Sequence, residues 1–182
     1  MKSESPLREF RPALRFLSIF VAVYFLCNVL YGIYVESFNP APDPTTVWVT
    51  GQVAYILSKF EAPVTVVISQ GEPTVLLNRV DKTVLRVFEG CNGLNVMIVF
   101  VAFLIAFGGK IKNILLYTLM GFLILHLANL LRIILLFETA LHRPLYFFYF
   151  HKYFFTAILY LVVFALWIQW TRMKSVRAVV EA

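Results

Sequence analysis

Four long apolar stretches constrain the fold of this chain more than any other feature of its sequence. They cover residues 13–34, 92–108, 114–137 and 153–170. A helix needs about 20 mainly apolar residues to cross the hydrocarbon core of a bilayer, where it satisfies its own backbone hydrogen bonds. The sequence therefore predicts an all-α polytopic membrane protein, a single integral membrane domain over residues 1–182 with about four transmembrane helices.

The composition agrees with a membrane protein and argues against other classes. Apolar residues make up 60% of the chain and charged residues 14%, whereas a soluble domain is about half apolar. The net charge is +6, but the basic residues flank the apolar stretches, so we predict a lipid bilayer and no nucleic acid as partner. The sequence has no phosphate-binding loop and no metal-ligand spacing, and we predict neither a cofactor nor a metal.

The positions of the basic residues predict how the chain is oriented. Because cytoplasmic loops are enriched in Lys and Arg, both termini and the turn at 108–113 are predicted to be cytoplasmic. Residues 36–91 and 138–152 then lie outside the inner (cytoplasmic) membrane, and three aromatic residues lie near its inner interface. A cleaved signal peptide is disfavoured, because the first apolar stretch is too long and no small-residue cleavage pattern follows it. The basic residues are Lys2, Arg8, Arg11, Arg15, Lys110, Lys112, Arg172, Lys174 and Arg177, and the aromatic ones are Tyr117, Trp167 and Trp170.

The outer segment, residues 36–91, is predicted to form a small α/β insertion on the outer face. Prolines at Pro40, Pro42 and Pro44 prevent the first helix from continuing. Apolar residues then recur at helical spacing between residues 53 and 60, which predicts a short amphipathic helix. Residues 63–68, 74–77 and 84–88 are rich in β-branched side chains and are broken by a turn at 70–73, so we predict a β meander or hairpin.

Three chemically complementary residues are predicted to lie at one depth. Cys91 immediately precedes the second apolar stretch and His151 immediately precedes the fourth. Arg132 lies about 27 Å along the third helix at 1.5 Å per residue, which brings it to the outer interface as well. An imidazole can take the proton of a thiol, and a guanidinium can stabilise the oxyanion that forms when a thiolate attacks a carbonyl. Glu89 and Asn92 flank the thiol and are predicted to orient the imidazole or donate a hydrogen bond.

Each of these residues also has a structural interpretation. Cys91 can be a small apolar residue, as Cys27 within the first stretch is expected to be. His151 can be solvated by headgroups, and Arg132 can extend to lipid phosphates. Arg132 shares one stripe of its helix with His126 and Asn129, which predicts a packed polar seam with a structural His126. A further histidine, His142, competes with His151 as the base.

Three blocks of the sequence resemble the exosortase/archaeosortase family. Glu89-Gly90-Cys91-Asn92-Gly93-Leu94 is similar to the cysteine motif of that family, although Asn92 stands where the family usually has serine. Ala128-Asn129-Leu130-Leu131-Arg132-Ile133 is similar to its arginine motif, and His151 stands ahead of the last span, where the family has its third residue. The likeness covers roughly residues 85–170 and is greatest to the short Bacteroidetes-type exosortases.

The resemblance implies a membrane cysteine protease or transpeptidase with Cys91, Arg132 and His151 as its catalytic residues. Such an enzyme cleaves a carboxy-terminal sorting signal, made of a short motif, a transmembrane helix and a basic cluster, through an acyl-enzyme on Cys91. It then transfers the protein to an acceptor, which the sequence does not identify. Two other interpretations stay open. One is a peptidase that ends in hydrolysis, and the other is a non-catalytic component of a surface-polymer assembly or transport system.

Overall fold

The computed structural model describes residues 10–60 and 63–173 of the chain. The helices are Arg11–Glu36 (α1), Pro44–Phe60 (α2), Leu94–Phe107 (α3), Ile111–His142 (α4) and Phe155–Arg172 (α5). The strands are Val64–Ile68 (β1), Thr74–Arg79 (β2) and Lys82–Phe88 (β3). A 3-10 turn, Glu89–Cys91, joins β3 to α3. Between α4 and α5 the chain forms a 3-10 turn Pro144–Tyr146, a short helix Phe147–Tyr149 and a π-helical turn Phe150–Phe154.

Within residues 10–60 and 63–173, three helical segments are long and apolar enough to cross a membrane. They are α1, α4 and the continuous segment Pro144–Arg172, which contains α5. No residue of α1 is buried, and α4 carries a row of exposed leucines four residues apart. Apolar surface of this extent is stable in lipid rather than in water, so these helices indicate a membrane-embedded protein. The leucines are Leu115, Leu119, Leu123, Leu127 and Leu131.

Helix α3 is shorter than the span predicted over residues 92–108. It has 14 residues, a length of about 21 Å at 1.5 Å per residue, against a hydrocarbon core of about 30 Å. Gly93 at its amino end and Gly108 at its carboxyl end have φ angles of 89° and 87°, which end the helix on both sides. A fourth membrane crossing by α3 therefore remains a prediction.

The three strands form an antiparallel meander in the order β1-β2-β3. Val80 and Asp81 connect β2 to β3 with φ angles of 49° and 61°, the conformation that a two-residue hairpin loop requires. The predicted meander is confirmed. A helix does precede it, but α2 is longer than the helix predicted over residues 53–60, because it begins at Pro44. Among the residues that the structure describes, β3 pairs with β2 on one side, and its other edge pairs with no strand.

Two apolar clusters hold these elements together. The first, here called the lobe core, joins α2 and the sheet to the carboxyl half of α4, and Leu77, Leu85 and Phe137 are among its buried members. The second, here called the bundle core, joins α3, the amino half of α4 and α5. Helix α4 belongs to both clusters, with Leu125 in the bundle core and Leu130 in the lobe core. The residues between those two leucines therefore lie where the two clusters meet.

Two of the aromatic residues that were predicted near the inner membrane interface, Tyr117 and Trp170, are buried in the bundle core. Trp170 is 0% exposed, and Tyr117 is 6% exposed. The Tyr117 hydroxyl donates a hydrogen bond to the backbone oxygen of Leu166 at 2.7 Å, which satisfies it between α4 and α5. Packing between α4 and α5 therefore shields both side chains from lipid, and their depth near the inner interface stays a prediction.

Candidate active site

The structure brings Cys91 and His151 together from positions 60 residues apart in the sequence. Cys91 ends the 3-10 turn that follows β3, and its Sγ atom lies 4.0 Å from Nε2 of His151. Both residues are partly buried. A thiol and an imidazole at this separation can share or exchange a proton, which is the arrangement that activates a cysteine nucleophile.

His151 lies on the π-helical turn Phe150–Phe154. Its ring stacks on Phe147 with a centroid separation of 5.6 Å, and its backbone oxygen accepts a hydrogen bond from the Thr156 hydroxyl at 3.1 Å. Turns of π-helix are rare and often occur at functional sites, because the wider turn re-aims a side chain that a regular α-helix would direct elsewhere. The packing on Phe147 holds the imidazole toward Cys91.

Arg132 supplies a positive charge beside this pair. It lies on α4, close enough to His151 for its guanidinium to act electrostatically on the imidazole. Its Nε atom is buried and has no hydrogen-bond partner, and within the described part of the chain Arg132 forms no ion pair. A buried donor without a partner is unfavourable by itself, so Arg132 is free to bind an oxygen atom that enters the site.

Asn129, at the junction of the two cores, ties the cysteine turn to α4. Its side chain is 0% exposed, and its Nδ2 atom donates a hydrogen bond to the backbone oxygen of Cys91 at 3.0 Å. Gly93 allows this approach, because a Cβ atom there would lie 3.1 Å from Asn129 Nδ2. The turn that carries Cys91 is thereby fixed against α4, the helix that also carries Arg132.

Substituting Gly93 with alanine is expected to disturb this contact. A side chain at a φ of 89° is strained by about 1–2 kcal/mol, and the new methyl group would press on Asn129. We expect a lower melting temperature in detergent and a changed alkylation rate of the Cys91 thiol. The matched control is Gly90→Ala, since nothing lies within 4 Å of that position and its φ angle is ordinary. Equal behaviour of the two variants would contradict this account of the turn.

A polar network fixes the other side of the cysteine turn. Asn92 is 2% exposed, and its Nδ2 atom donates to the Tyr31 hydroxyl at 2.9 Å and to Thr46 Oγ1 at 3.3 Å. Its Oδ1 atom accepts a hydrogen bond from the backbone nitrogen of Leu94 at 3.0 Å, which satisfies the start of α3. Tyr31 in turn donates to the backbone oxygen of Glu89 at 3.0 Å. Asn92 therefore donates hydrogen bonds, as predicted, but to α1 and α2 and not to the imidazole.

Asp43 extends this network to the beginning of α2. Its carboxylate accepts hydrogen bonds from the backbone nitrogen of Thr46 at 3.0 Å and from the Thr46 hydroxyl, and Pro44 follows it as the first helical residue. Aspartate before proline is a favourable start for a helix.

Burial raises the pKa of the nearby Glu89 carboxyl, and the negative charges of Asp43 and Glu36 act in the same direction. Glu89 therefore retains a proton to higher pH than an ordinary glutamate.

The other two histidines have partners elsewhere. His142, the competing candidate for the base, is the last residue of α4, where its Nδ1 atom lies 3.2 Å from Glu138 Oε2. His126 Nε2 lies 2.8 Å from Gln52 Oε1, and its ring stacks on Trp48 of α2. His151 is thus the histidine that contacts Cys91.

Sequence reasoning did not single out Tyr31, Thr46 or Asp43 as parts of the site. Tyr31 lies in an apolar stretch and Thr46 in a loop-like segment, and neither position carries a signal of long-range pairing. The shared stripe on α4 did place Asn129 beside Arg132, which is the one signal that pointed to its role.

A groove of about 450 Å³ opens beside the reactive pair. It lies between β3 and the region where α4 ends and the chain turns toward α5, and it reaches His151. Its volume is within the range of about 300–1,000 Å³ that is typical of ligand pockets. Its lining consists of Val84, Leu85, Arg86, Phe88, Ala140, Pro144, Phe147 and His151.

A comparison of this chain with protein-family models, with curated proteins and with solved structures finds no match. The candidate site is therefore characterised by its own geometry, a thiol 4.0 Å from an imidazole beside a guanidinium whose buried Nε has no partner. That arrangement is suited to nucleophilic attack on a carbonyl group.

Proposed function

We propose that this protein is a membrane cysteine transpeptidase of the exosortase/archaeosortase kind. Its substrates are proteins that end in a short motif, a transmembrane helix and a basic cluster. The observation that carries the proposal is the 4.0 Å separation of Cys91 Sγ and His151 Nε2 beside the unpartnered Nε of Arg132. The three sequence blocks that resemble this family contain the same three residues.

The first step forms an acyl-enzyme. His151 takes the proton of the Cys91 thiol at Nε2, and the thiolate attacks the carbonyl carbon of the scissile peptide bond. The carbonyl oxygen becomes negatively charged, and the Arg132 guanidinium binds it. The intermediate collapses when the C–N bond breaks, and His151 gives its proton to the departing amine. The products are a thioester on Cys91 and the released signal helix.

The second step transfers the acyl group. An acceptor nucleophile gives a proton to His151 and attacks the thioester carbonyl, again with Arg132 on the oxyanion. The C–S bond then breaks, and the thiolate of Cys91 regains the proton from His151. Water in place of the acceptor would give hydrolysis, so the new carboxy terminus of the product distinguishes the two reactions.

The membrane arrangement of the proposal has the reactive pair on the outer (periplasmic) side. Both termini are cytoplasmic, α1, α4 and the segment containing α5 cross the inner membrane, and α3 makes the fourth crossing. A substrate helix can then lie beside these helices in the bilayer, with its motif emerging at Cys91. The basic turn at Lys110 and Lys112 would orient the basic tail of the substrate on the cytoplasmic side.

The contacts within the polar seam favour an enzyme over a transport component. His126 is engaged by Gln52, and Asn129 is engaged by the backbone of Cys91. Residues that line a conducting path would instead face an open, hydrated space. The non-catalytic alternative remains testable, because it predicts normal function after Cys91 is removed.

Trapping the thioester tests the proposed chemistry. The full-length protein is isolated from its native membranes at mildly acidic pH, digested and analysed by mass spectrometry. We expect a polypeptide on Cys91 that neutral hydroxylamine releases as a carboxy-terminal hydroxamate, because this nucleophile cleaves thioesters. The adduct should persist in a Cys27→Ala protein and be absent from a Cys91→Ala protein. An adduct on Cys27, or none on Cys91, would overturn the proposal.

A further inference from the structure

We infer that the free edge of β3 binds the substrate segment on the acyl side of the scissile bond, as an added β-strand. This inference rests on the proposed function, since it names the part of the substrate that the site must hold. A free strand edge presents a row of unpaired backbone N–H and C=O groups, and an extended peptide supplies the matching row. The groove beside β3 is where that peptide would lie.

The shape of the groove fits one extended strand. One wall is formed by four residues of the edge strand β3 between Val84 and Phe88, which span about 13 Å at 3.3 Å per residue. The opposite wall contains Ala140, Pro144 and Phe147. A bound lipid chain or a small polar ligand would leave the backbone N–H and C=O groups at the edge of β3 without hydrogen-bond partners.

The groove also has the right end point and direction. It reaches His151, and β3 runs directly into the turn that carries Cys91. A peptide whose carbonyl is attacked by Cys91 has its amino-terminal part farther from the thiol, so it must run parallel to β3. The leaving side of the substrate is an apolar helix, which belongs in lipid and not along a polar strand edge.

The charge of the residues that line the groove limits which substrate side chains fit. Arg86 is the one lining residue with a permanent charge, and its Nη1 atom lies 3.3 Å from Glu72 on the neighbouring loop. Both side chains of that pair are more than half exposed, so water weakens their attraction and leaves Arg86 available. The remaining lining residues are apolar except His151. Apolar and acidic side chains therefore fit this groove, and basic ones do not.

Vinyl sulfone probes test the inference on the full-length protein in detergent. The Cys91 thiolate adds to the vinyl carbon β to the sulfone, and the carbon next to the sulfone takes up a proton. Methyl vinyl sulfone reports the reactivity of the thiol alone, whereas acetylated tetra-alanine vinyl sulfone also occupies the groove. We expect the peptide probe to label Cys91 at least about tenfold faster. In an added strand, every second backbone nitrogen of the probe would hydrogen-bond to β3, so methylating those nitrogens should abolish the faster labelling. Methylating the nitrogens between them should leave the labelling rate unchanged.

A matched pair of variants tests where the peptide lies. Ala140→Trp fills the groove, and Leu145→Trp places the same side chain at a position that is 89% exposed and outside the groove. We expect the peptide probe to label the Ala140→Trp protein no faster than methyl vinyl sulfone does, while the reaction with methyl vinyl sulfone stays at the wild-type rate. The Leu145→Trp protein should behave like the wild type. An unchanged small-probe rate also shows that the site of the Ala140→Trp protein is folded.

The possible failures are distinguishable. Labelling of Cys91 by methyl vinyl sulfone no faster than that of Cys27 would count against the proposed function itself. Strand addition alone would be overturned if methyl vinyl sulfone labels Cys91 rapidly but the peptide probe labels it no faster. It would also be overturned if methylation of any backbone nitrogen of the peptide probe slows labelling equally. An equal gain with decyl vinyl sulfone would identify a lipid chain as the occupant of the groove and would also overturn the inference.

Discussion

Replacing Cys91 with alanine is expected to abolish cleavage of the sorting signal, with a loss in rate of about four orders of magnitude or more. No other residue of the site can form the acyl-enzyme, and loss of a nucleophile has effects of this size in enzymes of this mechanism. The fold should persist, because Cys91 is only partly buried and its tie to Asn129 uses the backbone oxygen. The measurement is the mass of the substrate proteins in membranes from cells that carry each variant.

Cys27→Ala is the matched control for this result. Cys27 lies on α1 and is also partly buried, so its removal deletes the same atoms from a comparable environment. We expect full processing in that variant and complete accumulation of precursor in Cys91→Ala. Normal processing without Cys91, in a protein that melts at the wild-type temperature, would favour a non-catalytic component of a surface-polymer system.

Replacing Arg132 with lysine is expected to lower kcat about 100- to 1,000-fold. Lysine keeps the positive charge but loses the planar donor group, and removal of one oxyanion donor has effects of this size. Because the oxyanion exists only after attack, the substrate KM should change little. Kinetics with a purified substrate, once identified by the trapping experiment, provide both constants. The reaction of Cys91 with methyl vinyl sulfone should be unaffected, because that reaction forms no oxyanion.

Arg143→Lys is the control for the arginine substitution. Arg143 is exposed at the end of α4, one residue after His142, and it contributes no contact to the reactive pair. It should retain wild-type kcat and KM. A rise in KM with unchanged kcat in the Arg132→Lys protein would instead assign Arg132 to binding of the substrate motif.

The sequence was most informative where a repeated pattern had one physical explanation. Long apolar stretches predicted α1, α4 and α5, because lipid is the solvent that tolerates such helices. Helical spacing of apolar residues predicted α2, and β-branched runs predicted the meander. The positions of Cys91 and His151 beside apolar stretches led to the expectation that they meet, and the structure places them in contact.

Features that depend on a partner distant in sequence were not predictable. Tyr31 and Thr46 support the cysteine turn only because α1 and α2 dock beside it, and neither residue differs in type from its many exposed equivalents. The π-helical turn that carries His151 has no pattern of its own, since its sequence is a run of aromatic residues like those around it. The burial of Trp170 likewise follows from packing between α4 and α5 and not from local composition.

The hydrogen bonds from Tyr31 have a consequence for biogenesis. The turn that bears Cys91 is held by a side chain from the first helix and by the amino end of α2, while the imidazole arrives with the last helix. A nascent chain that has just exposed Cys91 already contains α1 and α2, but it lacks His151, the base that would activate the thiol in the proposed enzyme. We therefore expect the thiol to stay unreactive during synthesis and to become reactive only after the last helix has packed beside the cysteine turn, so that unfinished copies do not attack neighbouring proteins of the membrane.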